Sequence, residues 1–245
     1  MPELRLVGHK GADLIAPGNT RESFVVAVEA GVDTVELDVL WTRDGHPRLS
    51  ASERTPLVAA HDWHDAGRRE PLTLAEALDA FLEAPLDQVE IDLDVKLPGR
   101  EEEIVAAVQE RELLERAMIS TMELSTLVRI EELEPRLRRG WTYPKVTRDW
   151  ASKRWAKAPM LATLVWMRER LPGLAARELP RMGVEAMWVY HPLVSRRLAR
   201  ITALAGVELI AWTVDDLARM NKLVAAGVTG ICSNDPRLFA SLAER

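Results

Sequence analysis

The chain has 245 residues, of which 47% are hydrophobic and 29% charged, and its formal net charge is -6. This balance is typical of a soluble globular protein, and it disfavours nucleic acid as a partner, because wrapping nucleic acid requires a basic face. The single cysteine, Cys232, excludes an intrachain disulfide framework and fits a reducing compartment. The sequence shows neither a signal-peptide core nor an apolar run of the roughly 20 residues that a membrane helix needs. We therefore expect a cytoplasmic protein that binds a small molecule.

Short apolar segments rich in β-branched residues alternate with longer amphipathic segments along the chain. The predicted strands are Leu4–Gly8, Thr34–Val39, Val89–Val95, Ala117–Thr121, Leu137–Tyr143, Ala186–Tyr190, Val207–Val214 and Thr229–Ser233. The predicted helices are Thr20–Ala30, Thr73–Leu82, Glu101–Leu114, Ser125–Leu133, Ala162–Leu171, Val194–Ala205, Leu217–Ala226 and Pro236–Ala243. Such alternation predicts parallel strands joined by crossover helices. Eight units in about 250 residues predict an α/β fold, a single (β/α)8 TIM barrel over residues 1–245, with a doubly wound open sheet as the alternative.

Charged residues interrupt two of the predicted strands, although strands of a parallel barrel are covered on both sides and should be nearly continuously apolar. Glu36 and Asp38 lie two positions apart in the second strand, so their side chains point to the same face. In the third strand the charged residues occupy every second position: Glu90, Asp92, Asp94 and Lys96. If the apolar face meets the helices, the charged face points into the barrel. Because active sites lie at the C-terminal ends of barrel strands, we expect Asp38, Asp94 and Lys96 near the mouth and Glu90 at the opposite end.

Several carboxylates that converge in a site of low dielectric constant repel one another. A hard cation such as Mg²⁺ or Ca²⁺, which prefers carboxylate oxygens, relieves that repulsion. The alternatives are an exposed edge strand with its polar face in water, or a buried ion pair of Lys96 with Asp94. The same feature on two neighbouring strands favours a divalent metal site.

Two histidines follow predicted apolar segments. His9 ends the first strand, and His61 closes the run from residue 57 to residue 60. Two histidines beside a metal suit phosphodiester cleavage, which needs one proton acceptor and one proton donor, while a metal and a lysine can carry the charge of the phosphate. His46 and His64 are predicted surface residues, and His191 is assigned no catalytic role.

An ordered set of segments resembles the glycerophosphodiester phosphodiesterase family over nearly the whole chain. The segments are Gly8–Ala12, Pro17–Thr20, Val35–Val39, Thr42–Gly45, His61-Asp62, Asp92–Lys96, Ala211–Asp215 and Gly227–Ile231. The resemblance implies a (β/α)8 barrel that hydrolyses glycerophosphodiesters to sn-glycerol 3-phosphate and an alcohol, using a divalent metal.

Residue by residue, the resemblance also implies the roles of the candidate site residues. His9 and His61 would be the acid/base pair; Glu36, Asp38 and Asp94 would hold the metal; Lys10 and Lys96 would face the phosphate; and Trp212 would pack near the glycerol or the leaving group. The sequence departs from the family pattern at four positions: Lys10 replaces Arg, Gly18 replaces Glu, Asp94 replaces Glu and Asp215 replaces Asn.

Two rival functions stay open. One is a lysophospholipase D-like hydrolysis of lysophospholipids, which leaves peripheral membrane contact open, and the other is a non-catalytic barrel that binds phosphorylated ligands. The segment Trp141–Lys157 interleaves tryptophans with basic residues in an otherwise acidic chain. It could cover the active-site face, or it could be a solvated loop whose tryptophans pack on neighbouring helices.

Overall fold

The computed structural model describes residues 4–41, 56–62, 70–145 and 157–242. Within these ranges the strands are β1 Arg5–Gly8, β2 Thr34–Leu40, β3 Val58–Ala59, β4 Glu90–Val95, β5 Ala117–Thr121, β6 Arg138–Tyr143, β7 Ala186–Tyr190, β8 Glu208–Trp212 and β9 Gly230–Ser233. The helices are α1 Arg21–Glu29, α2 Leu74–Ala80, α3 Glu101–Gln109, α4 Leu124–Leu133, α5 Lys157–Met182, α6 Arg196–Leu204 and α7 Leu217–Val224. Three 3₁₀ turns span Leu86–Gln88, His191–Leu193 and Pro236–Ser241.

The sheet closes on itself. Strand β1 pairs in parallel with both β2 and β9, and the order around the barrel is β1-β2-β4-β5-β6-β7-β8-β9, all parallel. The predicted (β/α)8 barrel is therefore confirmed, and the open sheet is excluded because an open sheet would leave β1 with a free edge. The short β3 pairs antiparallel with the end of β2.

Two predicted helices differ from the structure, and one short strand was not predicted. The helix predicted as Ala162–Leu171 is the 26-residue α5, which continues through Pro172 and Pro180. Its buried side chains recur every four residues, at Leu171, Ala175 and Leu179, so packing against the barrel outweighs the helix-breaking tendency of proline. The last predicted helix is a 3₁₀ turn, and β3 was not predicted because two residues are too short a signal.

The helix starts were predicted more reliably than the helix ends. Thr73 caps α2 through the backbone N–H of Glu76, and the Glu76 carboxylate accepts from the backbone N–H of Thr73. This is the capping box that the sequence predicts. After the C-terminal end of α1, Gly31 adopts a φ of 85°, a left-handed conformation that costs glycine little.

The two faces of the barrel strands have different surroundings. Val35, Leu37, Ile91 and Leu93 point outward into the main core between strands and helices. A smaller apolar cluster fills the barrel interior, and its members are Val7, Met118, Ala186, Trp188, Ile210 and Cys232. The predicted assignment of the apolar face of β4 to the helices is therefore confirmed.

The N-terminal end of the barrel contains charged residues that pair with one another. Glu90 accepts hydrogen bonds from Arg5 and Arg138, and Arg5 also binds Glu208 at 2.9 Å. Two cations and two anions balance there, as expected for the end of a barrel that serves stability rather than catalysis. A cavity of about 730 Å³ opens at this end. Of its charged side chains, Arg5, Glu90 and Glu208 already have these partners, and Asp33 accepts a hydrogen bond from the backbone N–H of Leu6.

Candidate active site

Three carboxylates converge at the C-terminal end of the barrel. One oxygen each of Glu36, Asp38 and Asp94 lies within 4.8 Å of the others. Glu36 and Asp38 come from β2 and Asp94 from β4, whose register pairs Asp38 with Asp94 directly. The convergence predicted from the two strands is present in the structure.

Lys96 lies among these carboxylates. Its ammonium group donates hydrogen bonds to Asp38 and to Asp94. Burial works against its charge, but the negative charges of Asp38, Asp94 and Glu36 outweigh burial and raise the pKa of Lys96 above its ordinary value. The alternative ion pair of Lys96 with Asp94 is therefore also formed, and it involves Asp38 as well.

The carboxylates are not equivalent. Burial, followed by the charge of Asp38, raises the pKa of Glu36 well above its ordinary value, although Glu36 accepts a 2.7 Å hydrogen bond from the backbone N–H of Lys10. Burial acts in the same direction on Asp38, but Lys96 and His61 overcome it, and the pKa of Asp38 is lowered.

The donor set fits a divalent cation. One lysine cannot neutralise Glu36, Asp38 and Asp94 together, so the three carboxylates keep negative charge that a bound cation would compensate. Carboxylate oxygens so close together are what Mg²⁺ or Ca²⁺ requires.

Asn19 fixes the position of Asp38. Its amide donates to Asp38 Oδ2 at 2.9 Å, and its carbonyl oxygen accepts from the backbone N–H of Asp38 at 3.0 Å. Asn19 is buried and has a φ of 58°, a left-handed conformation that asparagine tolerates better than most residues. The sequence placed Asn19 in a matching motif but assigned it no role.

His9 has a defined tautomer. The Nδ2 group of Asn234 donates to Asp215 Oδ2 at 2.7 Å, so Asn234 Oδ1 faces His9 and lies 2.6 Å from its Nδ1. Because this oxygen can only accept, Nδ1 of His9 carries the hydrogen. Asp215 is itself held by the Ser233 hydroxyl and by the backbone N–H of Asn234. In the neutral ring Nε2 is therefore the proton acceptor.

The two candidate histidines differ in their surroundings. Burial lowers the pKa of His9, and this outweighs the opposing charge of Asp38. His61 Nδ1 lies 3.3 Å from Asp38 Oδ2, and half of its side chain is exposed to solvent. Both histidines line the same cavity as Glu36, Asp94 and Lys96.

Lys10 lies at the rim rather than in the cavity. Its ammonium group is 3.6 Å from Asp13 Oδ2, and the backbone has a left-handed φ of 52°. The Asp13 carboxylate also accepts from the backbone N–H of Gly18 at 2.9 Å, and a Cβ at position 18 would lie 2.9 Å from the Lys10 Cβ. Glycine at 18 thus leaves the room in which Asp13 and Lys10 approach each other.

The cavity beneath the mouth has a volume of about 70 Å³. Besides Glu36, Asp94, Lys96 and the two histidines, it is lined by Asp92, Ser120, Met122, Thr142, Trp188, Trp212 and Cys232. Trp212, a candidate from the sequence, is therefore brought to the site. The sequence missed Ser120, Thr142 and Trp188, whose only signal is a polar or aromatic residue at an inward position of a predicted strand.

Asp92 lies deeper in the barrel than Asp94. Its Oδ2 accepts a 2.7 Å hydrogen bond from the Ser120 hydroxyl, and burial raises its pKa well above the ordinary value despite that bond. Asp92 therefore belongs to the floor of the cavity rather than to the three carboxylates that converge at the mouth.

Some sequence predictions fall on residues outside the described ranges. These are the segment Thr42–Gly45, His46, His64 and residues 146–156 of the Trp141–Lys157 segment. Of that segment, Trp141 is buried in the outer core and packs edge-on against Tyr143, with ring centroids 5.6 Å apart. This contradicts a covering role for Trp141 and agrees with the alternative in which it packs beneath the helices.

The fold and the site together define a barrel enzyme whose acidic residues, lysine and histidines meet at the C-terminal ends of the strands. The chain belongs to the glycerophosphoryl diester phosphodiesterase family, whose model matches residues 9–62 and 71–238. The resemblance seen in the sequence and the prediction of a phosphoric diester hydrolase are confirmed.

Relatives and solved structures agree with this assignment. The chain is 26% identical to a glycerophosphodiester phosphodiesterase of Caldanaerobacter subterraneus subsp. tengcongensis, with 98% of each chain covered. It is 25% identical to one of Bacillus subtilis, covering 95% of this chain and 84% of the relative. The fold resembles a glycerophosphodiester phosphodiesterase from Parabacteroides distasonis, with a TM-score of 0.72, 17% identity and coverage of 98% and 97%.

A phosphodiesterase from Oleispira antarctica, solved in complex with the product sn-glycerol-3-phosphate, matches with a TM-score of 0.66 and 20% identity over 97% of this chain and 96% of that one. As for the membrane, none of the helices in the described ranges combines the length and apolar character that a bilayer span requires.

Proposed function

We propose that this chain hydrolyses glycerophosphodiesters to sn-glycerol 3-phosphate and an alcohol in a metal-dependent reaction. The observation that carries the proposal is the convergence of Glu36, Asp38 and Asp94 at a cavity that His9 and His61 line. The family assignment and the product bound to the Oleispira antarctica phosphodiesterase support the choice of substrate.

In this proposal Glu36, Asp38 and Asp94 hold a divalent cation, Mg²⁺ or Ca²⁺. When bound, such an ion would polarise the phosphate and stabilise the charge that develops on it. Lys96 already lies on two of these carboxylates, so it would contribute positive charge from the side of the metal site. Lys10 at the rim would attract the anionic substrate.

The two histidines would divide the proton transfers. His9 presents an unprotonated Nε2, because Asn234 occupies its Nδ1 and burial lowers its pKa, so it suits the role of proton acceptor. His61, partly exposed at the mouth beside Asp38, would donate the proton to the departing alcohol. A pair of this kind contributes about 10²–10⁴-fold for each positioned group.

A turnover assay tests the proposal. Glycerophosphodiesters with different alcohols are supplied to the purified protein, and the release of glycerol 3-phosphate is measured with chelator and after addition of Mg²⁺ or Ca²⁺. We expect no turnover in chelator and recovery with one or both ions. His9→Ala and His61→Ala should each lower kcat strongly. His191→Ala should leave kcat unchanged, because His191 accepts a hydrogen bond from Arg219 and does not line the cavity.

Full activity in excess chelator would refute the metal role. Binding of glycerol 3-phosphate without any turnover, with every ion supplied, would instead support the non-catalytic barrel. These measurements on the wild-type protein therefore distinguish an enzyme from a non-catalytic binding protein without any variant.

A second candidate, hydrolysis of lysophospholipids, is favoured by the exposed apolar residues of α5. Arg168 on this helix donates a 2.7 Å hydrogen bond to the backbone oxygen of Pro192, which lies just beyond the C-terminal end of β7. The turns of α5 that precede Arg168 therefore extend past the mouth of the barrel, and they expose Leu161, Val165 and Trp166. Apolar side chains there suit an acyl chain or a lipid surface.

The assay includes a lysophospholipid to test this candidate. Replacement of Val165 and Trp166 by serine should raise the KM for the lysophospholipid and leave the KM for a water-soluble glycerophosphodiester unchanged. Equal KM values in parent and variant for both substrates would exclude a role for α5. We further propose that residues 1–245 form one catalytic domain acting in the cytoplasm, with buried Cys232 as a structural thiol.

A further inference from the structure

Exposed apolar side chains are concentrated at the mouth end of the barrel. Segments that follow the C-terminal ends of the strands expose five large apolar side chains there: Leu14, Leu124, Leu161, Val165 and Trp166. Near the opposite end, the described residues expose Leu82, just after α2, and Leu204, the last residue of α6. Single apolar residues on a surface are ordinary, whereas a group on one face indicates a surface that binds a partner.

Three of the five side chains belong to the first turns of α5. Arg168 contacts Pro192 just beyond the end of β7, so at about 1.5 Å per residue Leu161 lies about 10 Å further out along the helix. Leu161, Val165 and Trp166 are each more than half exposed. We call these three side chains the α5 ridge. They project from the mouth face, where they can enter an apolar phase.

Two arginines beside the ridge bind no carboxylate through their described side-chain hydrogen bonds. Arg168 donates to the backbone oxygen of Pro192, and Arg219 donates to Nδ1 and to the backbone oxygen of His191. Burial, followed by the charge of Arg219, lowers the pKa of His191 to about 4, so this imidazole stays neutral. Burial and the charge of Arg168 lower the pKa of Arg219. The two guanidinium groups therefore repel each other, and an anion between them would relieve the repulsion.

Three further arginines extend this positive region. Arg196 and Arg197 are exposed in the first turn of α6, which contains no acidic residue. A cation in the first turn opposes the helix dipole, so the stability of α6 does not account for them. On α5 the Arg170 guanidinium lies 4.9 Å from the centroid of the Trp166 ring. We call the five basic side chains the arginine rim: Arg168, Arg170, Arg196, Arg197 and Arg219.

Several carboxylates on the mouth face are already paired within the protein. The pairs are Lys10–Asp13, Lys145–Glu123 and Arg237–Asp235. Glu169 is exposed on α5 among the arginines, so five basic side chains face one neighbouring carboxylate there. Although the whole chain has a net charge of -6, this part of the mouth face is positive. Its partner must therefore combine negative charge with an apolar interior.

We propose that the mouth face docks on a lipid bilayer that contains anionic phospholipids. The α5 ridge enters the boundary between head groups and acyl chains, where tryptophan and basic residues are favoured, and the arginine rim binds lipid phosphates. A bilayer suits this face because Leu14, Leu124 and the ridge lie on separate elements around the mouth, and a planar fluid surface contacts all of them together.

The proposal does not rest on the proposed function, because it concerns how the protein is held at a surface and not which diester it cleaves. It also differs from the binding of a lysophospholipid substrate, because intact diacyl lipids that are not hydrolysed would hold the protein. Binding can therefore be measured without any turnover.

The experiment measures sedimentation of the full chain with vesicles of phosphatidylcholine alone and of phosphatidylcholine mixed with phosphatidylglycerol. We expect the wild type to bind the mixed vesicles more tightly, with an affinity that falls as salt rises. Val165→Ser combined with Trp166→Ser should weaken this binding about 10-fold or more. Arg196→Gln combined with Arg197→Gln should weaken it about 5-fold for each arginine.

Matched control variants carry the same kinds of substitution away from the mouth. Leu204→Ser removes an exposed apolar side chain at the opposite end, and Arg177→Gln combined with Arg181→Gln removes two exposed arginines near the other end of α5. Both controls should bind vesicles like the wild type. Denaturant unfolding should show that Arg196→Gln with Arg197→Gln is no less stable than the wild type, because it removes cations from the start of a helix.

Insertion of the ridge is tested with lipids that carry bromine on their acyl chains, which quenches nearby indoles. Tryptophan fluorescence should be quenched in the wild type and less so in Trp166→Phe. Equal affinity for both kinds of vesicle, or unchanged affinity in the ridge and rim variants, would overturn the proposal. A wild type that ignores vesicles but forms a dimer, which Val165→Ser with Trp166→Ser dissociates, would overturn it in favour of a second copy of the chain.

Discussion

The two ends of the barrel interior carry similar residues in different balance. At the N-terminal end, Glu90 and Glu208 meet Arg5 and Arg138. At the mouth, Glu36, Asp38 and Asp94 meet one lysine among the described residues, Lys96, and His61 lies beside Asp38. Strand β4 runs through both regions, since it contains Glu90 at one end and Asp94 at the other.

The difference shows how one strand serves stability and function. Charges that balance within the protein are satisfied without a ligand, so the N-terminal end can stabilise the closed barrel. An excess of buried negative charge is costly unless a cation joins it. The mouth therefore keeps an imbalance that a metal ion can resolve, and the following predictions test this contrast from the largest expected effect to the smallest.

Removal of one charge at the mouth should greatly lower activity without harming the fold. Glu36→Gln keeps the shape and the hydrogen bond from Lys10, but it removes a metal ligand. A metal contributes several kcal/mol to the transition state, so a loss of about 4 kcal/mol, or about 10³-fold in kcat/KM, is expected. Calorimetry should show weaker metal binding and a metal-free free energy of unfolding no lower than that of the wild type. A Glu36→Gln variant that is unfolded would contradict the proposed difference between the two ends of the barrel.

The equivalent change at the other end should have the opposite result. Glu90→Gln leaves Arg5 and Arg138 without their shared anion, and the free energy of unfolding should fall by about 1–2 kcal/mol. This is less than the 3–5 kcal/mol of a fully buried pair, because Glu90 is 33% exposed and solvent screens it. Denaturant unfolding measures the loss, and kcat/KM per folded molecule should stay unchanged. Lost activity would show that the two ends are coupled.

A smaller effect is expected from the residues that hold His9. Asp215→Asn weakens the charge-assisted hydrogen bond that orients Asn234, and Asn234 in turn fixes the His9 tautomer. We expect kcat to fall by about 3- to 10-fold, in line with one such hydrogen bond, while metal affinity stays constant. A variant with lower metal affinity and unchanged kcat would contradict this positioning role.

The smallest effect concerns pH. Neutral His9 is the proton acceptor, and burial lowers its pKa below the ordinary 6.5, so the acidic limb of kcat/KM should lie below pH 6.5. Below pH 6.5, His9 in the unfolded chain binds a proton more readily than buried His9 in the folded protein. The stability that neutral His9 contributes is therefore present above pH 6.5, and it is lost as the pH falls through the pKa of His9 in the folded protein. Asn234→Asp places negative charge at Nδ1 and should move the limb upward. A limb above pH 6.5 in the wild type would exclude this assignment.

The fold was predictable because every barrel strand stands out as a short apolar segment in the sequence. The strands are short apolar segments that alternate with amphipathic helices, and in β2 and β4 the outward Leu37, Ile91 and Leu93 alternate with inward carboxylates. The alternation of strands with helices then leaves few topologies. The extent of α5 was not predictable, because the effect of Pro172 depends on whether tertiary packing compensates for the lost hydrogen bond.

Part of the site follows from the sequence in the same way. Glu36, Asp38, Asp94 and Lys96 are charged residues in strands that should be apolar, so they stand out without a structure. The sequence alone determined the alternation of strands and helices, the inward face of β2 and β4 and the acidic residues at the mouth.

Only the tertiary structure decided which groups meet across the barrel. The pairing of Lys96 with two carboxylates, the contact of Asn234 with His9 across 225 positions, and the approach of Trp188 to Gly140 all depend on strand register and closure. Thr142 and Trp188 look like ordinary strand residues in the sequence, and only the folded structure places their side chains in the cavity. The physical reason is that a hydrogen bond requires two atoms within about 3 Å, and local patterns carry no information on distances between remote segments.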